Sequence, residues 1–192
     1  MKDKMTFSLA DLTGPDPKAQ TMKEVEALKS LAKELRPNPV IINIGAAGGI
    51  STIAFLEERP DAVVFSIDID PREGERENAQ KCGVDVTRIV RLLGKSQDIG
   101  RNWPYYVDMV FVDGDHREDG LIGDIEVWPP RVMPNGGVLA FHDYFEGEPP
   151  PHNPSAAGKV VRKLVEPRDD FEEVLFVDRL KAFKRKGISN NA

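Results

Sequence analysis

Side chains that could carry out acid–base or metal chemistry follow two apolar runs in the second half of the chain. Asp113 and His116 come directly after the run Val107–Val112, and His142 and Asp143 come after the next run. Carboxylates are the ligands that hard divalent cations prefer, and histidine has a pKa of about 6.5 that lets it exchange a proton near neutral pH. These residues therefore predict either a general base or a divalent-metal site.

A second pair of motifs lies nearer the N-terminus and indicates a nucleotide-like ligand. The apolar run Ile41–Ile44 ends in the glycine loop Gly45–Gly49, and Ser51 stands at the start of the helix that follows. A later apolar run ends in Asp68. In an α/β sheet this pairing places backbone N–H groups and one acidic side chain around such a ligand.

The details of the loop decide between ligand classes. Counting from Gly45, the third and sixth positions are Ala47 and Ile50, so the dinucleotide pattern G-x-G-x-x-G fails, and no P-loop lysine follows. The helix start at Ser51 suits a carboxylate, and Asp68 can accept hydrogen bonds from both ribose hydroxyls. A ligand with an amino-acid end and an adenosine end fits both, and S-adenosylmethionine is such a ligand.

The elements that must position these residues alternate between strand and helix. The pattern predicts five strands, at Val40–Ile44, Ala62–Ile67, Thr87–Leu93, Val107–Val112 and Gly137–Phe141. It predicts helices over Thr21–Arg36, Ser51–Glu58, Pro71–Cys82 and, with an interruption at Trp128, Glu118–Val132. Such alternation gives a mostly parallel sheet with right-handed crossovers. Phe171–Val177 and Leu180–Phe183 are too close together for a crossover and predict an antiparallel hairpin at the sheet edge.

Length and composition limit the remaining classes. The 192 residues predict one domain over residues 20–186, with an irregular arm over 1–19 and a flexible tail over 187–192. A net charge of −6 argues against nucleic acid as a partner, and no apolar segment approaches 18 residues. One cysteine, Cys82, excludes an internal disulfide. We expect a cytoplasmic protein that binds neither nucleic acid nor membrane.

Five motifs in the expected order resemble one family. They are the glycine loop, the strand end at Asp68, and the segments 94–98, 110–113 and 136–143. In these motifs the chain resembles class I S-adenosylmethionine-dependent methyltransferases, in the small-molecule O-methyltransferase group that includes catechol O-methyltransferase. The resemblance extends from about Pro39 to Tyr144. It implies a three-layer, Rossmann-like α/β fold with a mostly parallel seven-stranded sheet and a C-terminal antiparallel hairpin.

The resemblance also implies which residues bind S-adenosylmethionine. The loop residues would approach its methionine part, Asp68 its ribose, and the pair Ser96 and Gln97 its adenine. The full predicted set is Asn43, Gly45, Ala47, Gly49, Ser51, Asp68, Ser96, Gln97 and Asp113. One departure concerns Asn43, because the family commonly has Glu or Asp there; the amide keeps an acceptor and loses the charge.

The catalytic end of the site is implied by the same resemblance. Metal-dependent members use an Asp after strand four and an Asp-Asn-like pair after strand five, which makes Asp113, His142 and Asp143 the expected ligands of Mg²⁺ or Mn²⁺. The pair here is His-Asp, and a nitrogen ligand shifts the preference away from Mg²⁺. His116 stands where catechol-type enzymes have their catalytic lysine and is the expected base, beside Asp113.

The expected reaction is methylation of a hydroxyl group on a small molecule or sugar. The resemblance to the family also implies a homodimer. The proline-rich segment Glu146–Pro154 is either a spacer or a substrate lid. Two alternatives stay open at this point. One is an NAD-dependent oxidoreductase, against which the missing glycine pattern and the terminal hairpin count. The other is a protein that binds S-adenosylmethionine without catalysis, for which Asn43 is the one indication.

Overall fold

The computed structural model describes residues 7–13, 19–70 and 74–187. Their centre is a seven-stranded sheet with strand order β3-β2-β1-β4-β5-β7-β6. The strands are β1 Val40–Ile44, β2 Val63–Asp68, β3 Ile89–Leu93, β4 Met109–Val112, β5 Val138–Phe141, β6 Phe171–Val177 and β7 Leu180–Arg185. The first five pair in parallel, and β7 pairs antiparallel with both β5 and β6. This confirms the predicted sheet and its terminal hairpin.

Helices cover both faces of the sheet. They are α1 Leu9–Leu12, α2 Met22–Lys33, α3 Ile50–Glu58, α4 Gly74–Lys81, α5 Ser96–Arg101, α6 Glu118–Val127 and α7 Ala157–Leu164. Residues of α1 to α4 pack with one hydrophobic cluster, and residues of α5 to α7 pack with the other. The molecule therefore has the predicted three-layer α/β architecture.

The central strands show why the sequence folds this way. In β1, Ile41 belongs to the cluster beneath α2 and α3, whereas Ile42 and Ile44 belong to the cluster on the opposite face. All four residues of β4 are buried. A parallel strand covered by helices on both faces needs a nearly continuous apolar sequence, which is the pattern of these runs.

Three helices differ from the sequence prediction. The arm predicted to be irregular contains α1, which is capped by a hydrogen bond from Ser8 N to Asp11 Oδ2. The short α5 and α7 were not predicted, because α5 has few apolar positions and α7 contains Gly158, which is a poor helix former. The predicted start of the third helix at Pro71, the rest of the arm and most of the tail lie outside the described residues. Every helix in the described ranges is too short or too polar to cross a membrane.

Candidate active site

A cavity of about 820 Å³ opens at the carboxyl ends of the parallel strands. Its wall is formed by the residues that follow β1, β2, β3 and β4, together with the start of α6. The strand order reverses between β1 and β4, and ligands of open α/β sheets bind at such a reversal. The residues on this wall are therefore the candidates for ligand contacts.

The glycine loop has its shape because two chain segments approach closely. A Cβ on Gly45 would lie 2.2 Å from the carbonyl oxygen of Asp113, and Gly45 has a φ of +79°. Only glycine tolerates both conditions at no cost. Gly45 and Ala47 line the cavity, as predicted, and expose loop backbone to it.

Asp68 is held at the cavity edge by two backbone amides. Its Oδ2 accepts from Ala47 N at 3.0 Å, and its Oδ1 accepts from Asp70 N at 2.9 Å. Each carboxylate oxygen has more than one lone pair. Asp68 can therefore still accept hydrogen bonds from a pair of ligand hydroxyls, the role predicted from its place after β2.

Three predicted cofactor residues do not lie on the cavity wall. Asn43 is fully buried, and its Nδ2 donates to Ser51 Oγ at 2.9 Å and to Thr52 Oγ1 at 2.8 Å. These bonds tie β1 to α3 behind the loop. Gly49 begins α3 with a φ of +86° and lies against Glu75. Asn43, Gly49 and Ser51 thus form a scaffold behind the glycine loop, and their contacts with the cofactor remain a prediction.

The predicted adenine pair lies on the wall, but its donors are already used. Ser96 Oγ donates to Asp124 Oδ1, and Gln97 Nε2 donates to the same oxygen at 2.9 Å and to Gly120 O at 3.0 Å. Asp124 is itself 1% exposed, and burial raises its pKa to about 6 although these hydrogen bonds oppose the shift. Sequence reasoning did not select Asp124, which lies mid-helix in α6.

His142 is a buried cation surrounded by carboxylates. Its side chain is 1% exposed, with Nδ1 3.2 Å from Asp113 Oδ1 and Nε2 3.2 Å from Glu24 Oε2. Burial disfavours the charged imidazolium, but the negative charges of Asp113 and Glu24 and the hydrogen bond to Asp113 outweigh it and raise the pKa of His142 to about 10. His142 is therefore protonated at neutral pH.

Asp143 connects this buried cluster to the cavity. Its Oδ1 accepts from Arg179 Nη1 and from Asn153 Nδ2, each at 2.8 Å, and its Oδ2 lies 3.0 Å from His116 Nδ1. Asp143 has a φ of +51°, a conformation rare outside glycine that is often found at functional sites. Burial would raise the pKa of Asp143, but His116, His142 and Asn153 together lower it, so it remains a carboxylate.

His116 is the titratable side chain on the cavity wall that is best placed to move a proton. It lines the cavity and is 42% exposed, and its Nδ1 faces Asp143, which leaves Nε2 for a ligand. The hydrogen bond to Asp143 raises the pKa of His116 above its usual 6.5, against the effect of burial. A histidine oriented by a carboxylate in this way can act as a general base.

The three predicted metal ligands have different surroundings in this arrangement. Both ring nitrogens of His142 already face carboxylates, and Asp143 Oδ1 already accepts two hydrogen bonds, one of them from Arg179. Ligand atoms of Asp113, His116 and Asp143 do lie within 4.8 Å of one another. An ion held by them would face the positive charges of His142 and Arg179, which offset two of the three carboxylate charges of the cluster.

Sequence reasoning missed three residues of the cluster. Glu24 is fully buried, yet it follows Thr21 in the T-x-x-E pattern of a helix cap, and it does cap α2 through Thr21 N. Arg179 stands in a two-residue turn, where a solvated side chain is expected. Gln20 precedes α2 and donates from Nε2 to Asp113 Oδ2 at 2.8 Å. No local pattern separates these residues from ordinary cap and turn residues.

The family comparison agrees with the fold and the position of the cavity. Residues 42–144 match the family model described as a methyltransferase domain, which is more than half of the chain. The chain belongs to this methyltransferase domain family. This confirms the resemblance to class I S-adenosylmethionine-dependent methyltransferases and excludes the oxidoreductase alternative.

Solved structures with the same fold come from several kinds of methyltransferase. The O-methyltransferase TomG from Streptomyces achromogenes, in complex with S-adenosylmethionine, is 21% identical with a TM-score of 0.66, over 95% of this chain and 87% of that one. A methyltransferase from Podospora anserina bound to S-adenosylhomocysteine is 19% identical with a TM-score of 0.70, over 92% and 84%. An rRNA methylase from Streptococcus thermophilus is 13% identical with a TM-score of 0.64, over 84% and 95%. At these identities the likeness establishes the fold and leaves the acceptor open.

Proposed function

We propose that this protein transfers a methyl group from S-adenosylmethionine to a hydroxyl group of a small molecule. The observation that carries the proposal is the position of His116. It lies on the wall of the same cavity as Asp68 and the glycine loop, with Nδ1 3.0 Å from Asp143. A cofactor-sized cavity with a carboxylate-oriented histidine on its wall supports a reaction in which a hydroxyl must lose its proton.

The residues on the wall suit the parts of this cofactor. The backbone at Gly45 and Ala47 would receive the methionine part, Asp68 the ribose hydroxyls, and the wall at Ser96 and Gln97 the base. When bound, S-adenosylmethionine supplies an electrophilic methyl group on a sulfonium. Solved methyltransferases of this fold that contain S-adenosylmethionine or S-adenosylhomocysteine support the assignment.

The protein supplies the base without help from a metal. His116 Nε2 accepts the proton of the acceptor hydroxyl, and Asp143 stabilises the imidazolium that forms at Nδ1. The buried His142 and Arg179 keep Asp143 ionised and in place. The finer prediction of Mg²⁺ or Mn²⁺ at Asp113, His142 and Asp143 is the rival to this proposal.

A methyl-transfer assay tests the proposal. Purified protein and labelled S-adenosylmethionine are incubated with catechol and with a panel of phenols and sugars, before and after EDTA treatment. We expect transfer to at least one hydroxyl acceptor, retained after EDTA and reduced about 100-fold or more in His116→Gln, the usual scale of general-base catalysis. His152→Gln is the matched control, because His152 is exposed in the proline-rich segment.

The other outcomes each support a different function. Activity that disappears with EDTA and returns with Mg²⁺ or Mn²⁺ would support the divalent-metal prediction. Cofactor binding with no transfer to any acceptor would support a non-catalytic binding protein, and labelling of RNA would replace the small-molecule acceptor. The expected homodimer and cytoplasmic location remain predictions for sedimentation and fractionation experiments.

A further inference from the structure

A buried carboxylate outside the proposed reaction centre connects α5 and α6 at the far end of the cavity. Asp124 lies on α6, is 1% exposed, and borders the cavity. Its Oδ1 accepts from Ser96 Oγ and from Gln97 Nε2, while its Oδ2 is buried with no hydrogen-bond partner in the described part of the chain. Burying an ionisable group in this way costs stability, and such groups are enriched at functional sites.

The neighbours of Gln97 fix the orientation of its amide. Its Nε2 donates to Asp124 Oδ1 at 2.9 Å and to Gly120 O at 3.0 Å, and both of these atoms are acceptors. Reversing the amide would place Oε1 against a carboxylate and a carbonyl, which is unfavourable. The NH₂ group therefore faces α6, and Oε1 accepts no hydrogen bond from any residue that the structure describes.

The surface of α6 is shaped to receive the Gln97 side chain. A Cβ on Gly123 would lie 2.8 Å from Gln97 Cγ, so a larger residue there would displace the side chain. Gln97 lines the cavity beside Gly94, Lys95 and Ser96. The carbonyl oxygen of Gln97 is therefore an acceptor that a ligand in the cavity can use.

We infer that Asp124 is a positioning residue for base recognition: it locks the Gln97 amide so that the cavity selects a purine with a 6-amino group over one with a 6-oxo group. This rests on the proposed function, because it assigns the base of S-adenosylmethionine to this end of the cavity. An amino group donates to Oε1, whereas an oxo group at the same position places two acceptors together. Without Asp124 only the carbonyl oxygen of Gly120 holds the amide, so the amide turns more readily and accepts either base.

Calorimetric titration with S-adenosylhomocysteine and S-inosylhomocysteine tests this inference, since the two ligands differ only at the purine 6-position and in the proton on N1 that accompanies the 6-oxo group. We expect the wild-type protein to bind the adenine compound at least about tenfold more tightly, which corresponds to about 1.4 kcal/mol. Asp124→Ala should reduce this ratio to less than about threefold. Gln97→Ala should do the same, and the double variant should lose no further discrimination, because both substitutions remove one interaction.

Two matched variants separate positioning from folding. Asp124→Asn keeps an oxygen that accepts from Ser96 and Gln97, and the atom it replaces, Oδ2, has no partner to lose, so the wild-type ratio should be retained. Glu126→Ala, at an exposed position on the same helix, should also retain it. A structural role alone would weaken both ligands equally in Asp124→Ala and leave the ratio unchanged.

The contradicting results are distinct. If Asp124→Ala keeps the wild-type ratio, or Asp124→Asn loses it as completely as Asp124→Ala, the positioning role is wrong. If the wild-type protein binds both compounds equally, the inference fails while the proposed function stands. If it binds neither, both fail together.

Discussion

At the scale of single residues, the unusual feature is His142. It is protonated, although the resemblance to metal-dependent methyltransferases predicted a metal ligand at this position. His142 and Arg179 supply two positive charges to the buried carboxylates of Glu24, Asp113 and Asp143. Buried charges persist only when they are paired and hydrogen-bonded. The two cations offset two of these three negative charges within the protein, and His116 titrates at the cavity beside Asp143.

The buried His142 predicts how stability depends on pH. Because its pKa is raised from 6.5 to about 10 in the folded protein, its contribution is fully present below about pH 6.5 and is lost as the pH rises through about 10. His142→Gln should lower the free energy of unfolding at pH 7 by about 3–5 kcal/mol, since it leaves buried carboxylates without their cation. It should also flatten the decline on the alkaline side.

Urea unfolding at a series of pH values between 6 and 10 measures this dependence. His152→Gln serves as the control, since His152 lies exposed in a loop. Identical pH profiles for wild type and His142→Gln would contradict the assignment of His142 as the buried cation.

The pairing of His116 with Asp143 predicts the pH dependence of catalysis. A base must be deprotonated to act, and the hydrogen bond to Asp143 raises the pKa of His116. The rate should therefore rise with pH through an inflection above 6.5. Asp143→Asn removes the charge that stabilises the imidazolium, so it should lower the maximal rate and move the inflection towards lower pH. An inflection that stays in place in this variant would show that His116 is not the titrating base, or that Asp143 does not tune it.

At the scale of elements, the glycine loop and the loop after β4 must approach each other for the cavity to form. Gly45→Ala would place a Cβ 2.2 Å from Asp113 O at a φ of +79°, so it should weaken S-adenosylhomocysteine binding more than tenfold and lower stability by more than about 1 kcal/mol. Gly48→Ala is the matched control in the same loop, since its nearest new neighbour would be Asn78 Nδ2 at 3.7 Å. Calorimetry measures the affinity, and thermal unfolding measures the stability. If Gly45→Ala and Gly48→Ala have the same affinity and the same stability, the close approach of the two loops is not required for binding.

The same elements show which parts of the molecule could be predicted from sequence. The runs that form β1, β2, β4 and β5, the glycine loop and Asp68 were recognised because strand burial and loop geometry leave local patterns. The residues around His142 leave no such local pattern in the sequence. The backbone N–H of Arg179 donates to Glu24 across 155 positions of sequence, and only the folded sheet brings them together. The hydrogen bonds between Asn43 and Ser51 were not predicted for a related reason, because nothing local shows which face of the loop a side chain takes.

At the scale of the whole molecule, the two ends of the domain meet behind the reaction centre. Arg179, in the turn between β6 and β7, donates to Ala19 O at 2.7 Å and to Asp143 Oδ1 at 2.8 Å, and it contacts Glu24 of α2. The side chain of Arg179 thus connects the terminal hairpin to the segment before α2 and to the residue after β5. The cluster connects the start of α2 to the terminal hairpin as well as shaping the site.

Arg179→Gln tests this connection. Removing one partner from a buried charged cluster should lower the free energy of unfolding by about 3–5 kcal/mol and increase amide hydrogen exchange in the first turn of α2 and in the β6–β7 turn. Arg101→Gln is the control, because Arg101 is exposed and its ion pair is with Asp98 on the same helix. Exchange that rises only in the β6–β7 turn would contradict the connection to α2.

The proposed function requires the cavity to bind S-adenosylmethionine through the wall formed by the glycine loop and Asp68. Isothermal titration of the wild-type protein with S-adenosylmethionine and S-adenosylhomocysteine tests it most directly, with Asp68→Ala as the test variant and Asp169→Ala, at an exposed position, as the control. We predict binding in the micromolar range with or without added metal, unchanged in Asp169→Ala and weakened at least about tenfold in Asp68→Ala. Absence of binding by the wild-type protein, or equal binding by Asp68→Ala, would contradict the account.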